Sequence, residues 1–408
     1  MRSSTQILGI GARVAAMMSI LACASGVGSR DVRIPPFWVY GQVVTADFNG
    51  DGRLDVAVAS TFIEDSIHAD GVQVYLRNTM GSVEAPITYP VGPGPWGLCA
   101  GDLDGDGRLD LIACSLATTA PQLNTPGDSG SLFVLRQNPA APGHFLPAVW
   151  VPTGGAAAAV AVADLDGDGR SEVVVADGVH VNSRVLMLAQ APGQPGVLLP
   201  PVTLPVGNGH GPGDLAVADL NGDGRLDLVL AAYDGVVVLY QQAGGGFSGP
   251  VQLGSGLRIV GVAVADLDGD GRLDIVAANT RDVLSVNRAD STLLVLLQTP
   301  LGAFTTTHLP TVDNAKRVAI SDLNGDGRPD ITLVSQGPTS KVSVCLQSPL
   351  QRGVFAVSAI YEAPGLPEFL ALGDLNDDGR VDILLSDGPS VLYQTSTPGS
   401  FAVPVKLR

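Results

Sequence analysis

Cysteine is scarce in this sequence, with four in 408 residues, and only Cys99, Cys114 and Cys345 lie beyond the N-terminal segment. That is too few for a disulfide scaffold, so stability has to come from a packed core and from bound metal. Cys99 and Cys114 flank one acidic segment and are expected on adjacent strands, as two small buried thiols or as a bridge. Cys345 is expected in the core. Aromatic residues make up only 5% of the chain, a thin supply for a sugar-stacking surface. After residue 30 no apolar run approaches the ~18 residues of a membrane-spanning helix, so the mature chain is expected to be soluble. Helical charge spacing is missing too, and a net charge of −17 lacks the basic footprint of a nucleic-acid binder. What abounds is Gly (51) and Pro (29), between short runs of Val, Ala, Leu and Ile. Such a composition belongs to many short strands joined by tight turns.

Residues 1–24 read as an export signal. Arg2 and Arg13 supply the positive region, Val14 to Ala22 is apolar, and Ala22-Cys23-Ala24 offers small residues for cleavage. Ile20-Leu21-Ala22-Cys23 also resembles a bacterial lipobox, which would place a diacylglycerol on Cys23 as the only membrane attachment. Simple secretion, with Cys23 removed, is the other outcome. Both put the chain outside the cytoplasm, secreted or at the cell surface, including as an outer-membrane lipoprotein. Residues 25–41 are read as a linker and N-terminal segment ahead of one domain at 42–408.

The pattern D-x-[DN]-x-D-G-x-x-[DE] occurs seven times, with starts 47 to 62 residues apart. Chance does not supply seven such copies. Positions 1, 3, 5, 7 and 9 hold Asp47, Asn49, Asp51, Arg53 and Asp55 in the first copy. The second has Asp102, Asp104, Asp106, Arg108 and Asp110, and the third Asp164, Asp166, Asp168, Arg170 and Glu172. Asp219, Asn221, Asp223, Arg225 and Asp227 form the fourth, and Asp266, Asp268, Asp270, Arg272 and Asp274 the fifth. The sixth has Asp322, Asn324, Asp326, Arg328 and Asp330, and the seventh Asp374, Asn376, Asp378, Arg380 and Asp382.

Each position has a chemical reason. Oxygens at positions 1, 3 and 5 converge when the backbone curls around a hard cation, and the acid at position 9 closes the shell. Position 6 is always Gly, as a turn with φ > 0 requires. Position 7 is always Arg, whose carbonyl is the expected ligand and whose side chain is expected in solvent. All-oxygen ligation without Cys or His points to Ca²⁺, about seven ions in all. An EF-hand would need twelve residues, a closing Glu and flanking helices. Here the ninth residue closes the loop, and the flanks alternate with period two, as in Val262-Ala263-Val264-Ala265. Positions 1, 3, 5 and 9 of the loops hold 24 of the 40 acidic residues, so most of the acidity is a property of the candidate sites.

Each copy lies in the same setting. One strand leads in, a second leads out (Leu226 to Leu230), a third follows a turn (Gly235 to Tyr240), and a fourth follows a Gly-x-Phe turn (Pro250 to Leu253). Four antiparallel strands per repeat, seven times over, make an all-β seven-bladed propeller of four-stranded blades with the acidic loop between strands one and two. The loops and the Gly-x-Phe turns at Phe145, Phe247, Phe304, Phe355 and Phe401 resemble FG-GAP/VCBS repeats. Those repeats build the N-terminal propeller of integrin α subunits and many bacterial surface proteins. The resemblance spans about residues 42–408 and implies the propeller and calcium, but little about a ligand. Val83 and Leu198 stand where blades one and three would carry the Phe, and all seven loops look metal-competent, unlike those of integrins.

The loops joining strands two and three would occupy the opposite face. They are long in blade one (Thr61 to Gly71), blade two (Leu116 to Gly130) and blade five (Asn279 to Ser291). Irregular loops on a rigid scaffold are where recognition usually lies, so a protein or glycan ligand is expected there, with Trp96 at a turn of that face. The expected function is a non-catalytic binding or adhesion module. The alternatives are a lectin or a propeller-based polysaccharide lyase or hydrolase. Gly127-Asp128-Ser129-Gly130 comes nearest to a nucleophile motif, but the five histidines are scattered and Ser129 has no fixed base beside it.

Overall fold

The computed structural model describes residues 37–63, 70–78, 82–116, 131–177, 184–206, 213–280, 291–311 and 313–407. The residues read as an export signal and a lipobox, Ser129 and the middles of the three long connections lie outside these residues. The described chain forms seven four-stranded antiparallel sheets, each made of four strands consecutive in sequence. This is the seven-bladed propeller that the repeat implies. Blade one comprises Phe37–Ala46, Asp55–Ile63, Gly71–Tyr75 and Ile87–Pro90, so it starts inside the stretch read as a linker. The inner strands of blades two to seven are Pro95–Gly101, Ala157–Ala163, Asp214–Ala218, Ile259–Ala265, Asn314–Ser321 and Leu370–Gly373. The chain enters on an inner strand and leaves on the outer strand of blade seven, Val405–Lys406.

The amino acids suit their layers. Second strands are covered on both faces by neighbouring blades, so they read as continuous apolar runs; all six residues of Asp227–Ala232 are buried. Outer strands are mostly exposed, as in Phe355–Glu362. The apolar core is divided into seven clusters, one per junction between adjacent blades. The second residue of each acidic loop plugs the junction with the next blade. Phe48, Leu103, Leu165, Leu220, Leu267, Leu323 and Leu375 are all buried there. Inner strands are small because they crowd: a Cβ added to Gly261 would meet the Lys316 carbonyl of the next blade at 2.8 Å. The Gly-x-Phe positions also hold. Each pairs with a residue at or just past the end of the third strand, and Val83 and Leu198 make that pairing in blades one and three.

At the start of the inner strands, opposite the acidic loops, one guanidinium ties several blades together. Arg317 of blade six donates to the carbonyls of Gly213 (3.0 Å) and Val260, in blades four and five. It faces Asp214 at 3.5 Å and lies 4.5 Å from the ring centre of Phe369 in blade seven. Trp96 of blade two packs edge-on against the same Phe369 ring, 5.3 Å between centroids. Trp96 therefore sits within an inner strand as a packing residue, and the turn position expected for it is corrected. Cys99, Cys114 and Cys345 are free thiols, the last two buried in the core.

Candidate metal centres

Each acidic loop is built around its own carboxylates. The position-1 Asp accepts the position-6 Gly N–H in all seven copies, at 2.7 to 2.9 Å. The position-5 Asp accepts the position-7 N–H in all seven, at 2.9 to 3.0 Å. Position 6 needs glycine as expected, with φ between 78° and 86°. The position-9 acid is a hidden keystone. One of its oxygens accepts the position-2 N–H in every loop. In six blades the other accepts the N–H at the end of strand three, as from Arg77 to Asp55 at 2.7 Å.

Burial of those acids raises their pKa values against the pull of the same backbone hydrogen bonds. Asp55, Asp110, Asp330 and Asp382 are pushed up to about 6, and Glu172, Asp227 and Asp274 shift in the same direction. A cation beside them would oppose that shift. In three loops the carboxylates of positions 1, 3 and 9 converge, with ligand atoms within 4.8 Å of one another. These are Asp102, Asp104 and Asp110; Asp164, Asp166 and Glu172; and Asp266, Asp268 and Asp274. Asp104 Oδ1 is buried there without a hydrogen-bond partner, as an atom reserved for a metal would be. The donor set is all oxygen, so these clusters can hold a hard cation. The loops starting at Asp47, Asp219, Asp322 and Asp374 have Asn at position 3 and one carboxylate fewer.

The position-7 arginines depart from expectation. Arg108, Arg170, Arg225, Arg272, Arg328 and Arg380 fold back onto the position-5 carboxylate of their own loop instead of standing free in solvent. Arg53 reaches across to Asp377, 3.1 Å away. Asp377 is at position 4 of the seventh loop, where the other six have Gly, and it also binds Arg77. Position 4 carries no ligand in the repeat, so the sequence pattern alone drew no attention to Asp377. The signal was the break in an otherwise constant glycine.

The sequence profile of the FG-GAP-like repeat matches residues 47–113, 123–175, 219–277 and 322–385. No curated protein matches significantly. Among solved structures, the chain is similar to an Agrocybe aegerita lectin that recognises non-reducing terminal N-acetylglucosamine. That match has 18% identity and a TM-score of 0.54, over 90% of this chain and 94% of the other. A protein from Lactobacillus plantarum matches at 16% and 0.56, over 86% and 96%. Rhamnogalacturonan lyase YesW matches at 13% and 0.53, over 91% and 74%. At such identities the likeness shows the propeller fold alone.

Proposed function

The chain belongs to the FG-GAP-like repeat family, and we propose that it is an exported, calcium-binding propeller serving as a non-catalytic binding or adhesion module for a protein or glycan. The observation that carries this reading is the acidic loop repeated in every blade, with three loops gathering three carboxylates each. Asp102, Asp104 and Asp110, and their counterparts in blades three and five, would hold the ion most firmly. Bound Ca²⁺ would neutralise the loops and fix the turns between strands one and two, leaving a stiff ring on which the opposite face is displayed.

Several observations favour binding over catalysis. Burial pushes the Cys114 and Cys345 thiols up to about 12, far from the thiolate a nucleophile needs. His144 Nδ1 lies 3.2 Å from the Pro142 carbonyl, and His308 is exposed on an outer strand. The Arg317 cluster occupies inner-strand starts in several blades, which directs a ligand to the rim formed by the connections between strands two and three. Native mass spectrometry in millimolar Ca²⁺ should find six or seven ions, lost with EGTA; three or fewer would reduce most loops to plain turns. A glycan array and a surface-protein pull-down, with and without EGTA, should then identify a ligand. Turnover of a polysaccharide by the pure protein would overturn the non-catalytic reading.

A further inference from the structure

We propose that Arg77 and Asp377 are a latch that closes the ring, pairing the last blade with the first and no other. Among the described residues, blade one and blade seven are each made of four strands consecutive in sequence, and no strand is shared across their junction. Closure there rests on side chains. At the five junctions from blades two and three to blades six and seven, a glutamine stands at or just past the end of the third strand of the later blade. Its Nε2 donates to the position-2 carbonyl of the preceding loop: Gln190 to Leu103, Gln241 to Leu165, Gln298 to Leu220, Gln347 to Leu267 and Gln394 to Leu323. At the junction of blades one and two, Gln137 Nε2 turns instead to the Leu109 carbonyl of its own blade, and at the other five this neutral contact is the same every time. A further blade, or a blade from another copy, would satisfy it equally, so it carries no information about where the ring ends.

At the junction of blades seven and one, the two partners are different. Arg77 replaces the glutamine and is only 2% exposed. Its Nη1 and Nη2 donate to the two oxygens of Asp377, at 3.1 and 2.9 Å, in the planar fork that arginine makes with a carboxylate. Arg53 Nε adds a third bond to Asp377 at 3.1 Å. Asp377 has φ of 62°, and it is the only non-glycine with positive φ among the described residues. The six matching positions are glycines with φ of 73° to 76°. A carboxylate in left-handed backbone is unfavourable alone, and so is a guanidinium buried without an acid. Each departure from the repeat is compensated by the other, which makes them one device.

The test is a double-mutant cycle with Arg77→Gln, Asp377→Gly and both together, the double variant restoring the repeat. Running it in EGTA as well as in Ca²⁺ separates the latch from the metal reading. Each single variant should lower the melting temperature by several degrees, and the double should lose clearly less than the two losses summed. Amide exchange should accelerate about tenfold or more in the strands of blades one and seven, while blade four stays protected. Gln298→Leu sets the scale for an ordinary junction, and the single latch variants should exceed it. Should a single variant fail to fold, a folded double variant supports the latch. Strictly additive losses, even exchange around the ring, or failure of the double variant alongside both singles would overturn it.

Discussion

At the scale of single residues, the acidic loops contain two kinds of carboxylate with different work. Asp266 accepts N–H groups of Gly269, Asp270 and Gly271 besides facing the cluster, so replacing it damages the loop with or without metal. Asp268 is the cleaner probe. Asp268→Asn should keep the bond to the Asp270 N–H, as the Asn loops do, while removing one charge. Its melting temperature should fall by about 1–3 °C in Ca²⁺ and stay level or rise slightly in EGTA, as ligand linkage requires. A drop of equal size in both conditions would mean that Asp268 acts through the turn alone. The position-9 acids make a pH prediction. Burial holds the folded Asp55, Asp110, Asp330 and Asp382 carboxyls up at about 6, against 3.8 for an aspartate in water. Between those values the folded chain binds more protons, so in EGTA its stability falls as pH rises through the window. In Ca²⁺ the trend should reverse, because the ion needs the ionised form. Thermal melts at about pH 5 and about pH 7 check the crossing, and Asp330→Asn should flatten the EGTA slope.

Strands show which parts of the fold were legible and which were not. Valine, alanine and leucine at period two, punctuated by Gly-x-Phe and the acidic loop, define every blade locally. Even the exceptions Val83 and Leu198 were placed by spacing. Side-chain partners from other blades were not legible, since nothing near Trp96 in the chain announces Phe369, and nothing near Arg317 announces Gly213. The Arg77–Asp377 pair joins residues 300 positions apart, visible only as two separate breaks in a repeat. Close packing of inner strands yields a direct test. Gly261→Ala would press a methyl group onto the Lys316 carbonyl and the Arg317 Cα and should destabilise by about 1–3 kcal/mol. Gly249→Ala, with nothing within 4 Å, should be neutral or stabilising by up to about 1 kcal/mol. Chemical denaturation of the two variants compares them, and equal effects would contradict the crowding of the inner ring.

For the whole molecule, the loops should not fill alike. Blades two, three and five offer a carboxylate at position 3 where the other four offer an amide, so their affinity should be higher. Calcium titration followed by native mass spectrometry should show a three-ion species accumulating before the rest. Filling in statistical proportions would make the position-3 charge irrelevant. The path of the chain also matters. Inner strands run toward the acidic loops and outer strands run away, so Phe37 and Lys406 both leave the ring on the side opposite those loops. Lipid on Cys23 would then act as a tether of fourteen residues, about 50 Å at full stretch, fastened to that side. Anchored so, the propeller would turn its acidic loops outward to the medium and hold its long connections toward the bilayer. Free secretion would leave both sides open to a partner. Cleavage within residues 117–130 by an added protease, compared on intact cells and on released protein, tells the two orientations apart.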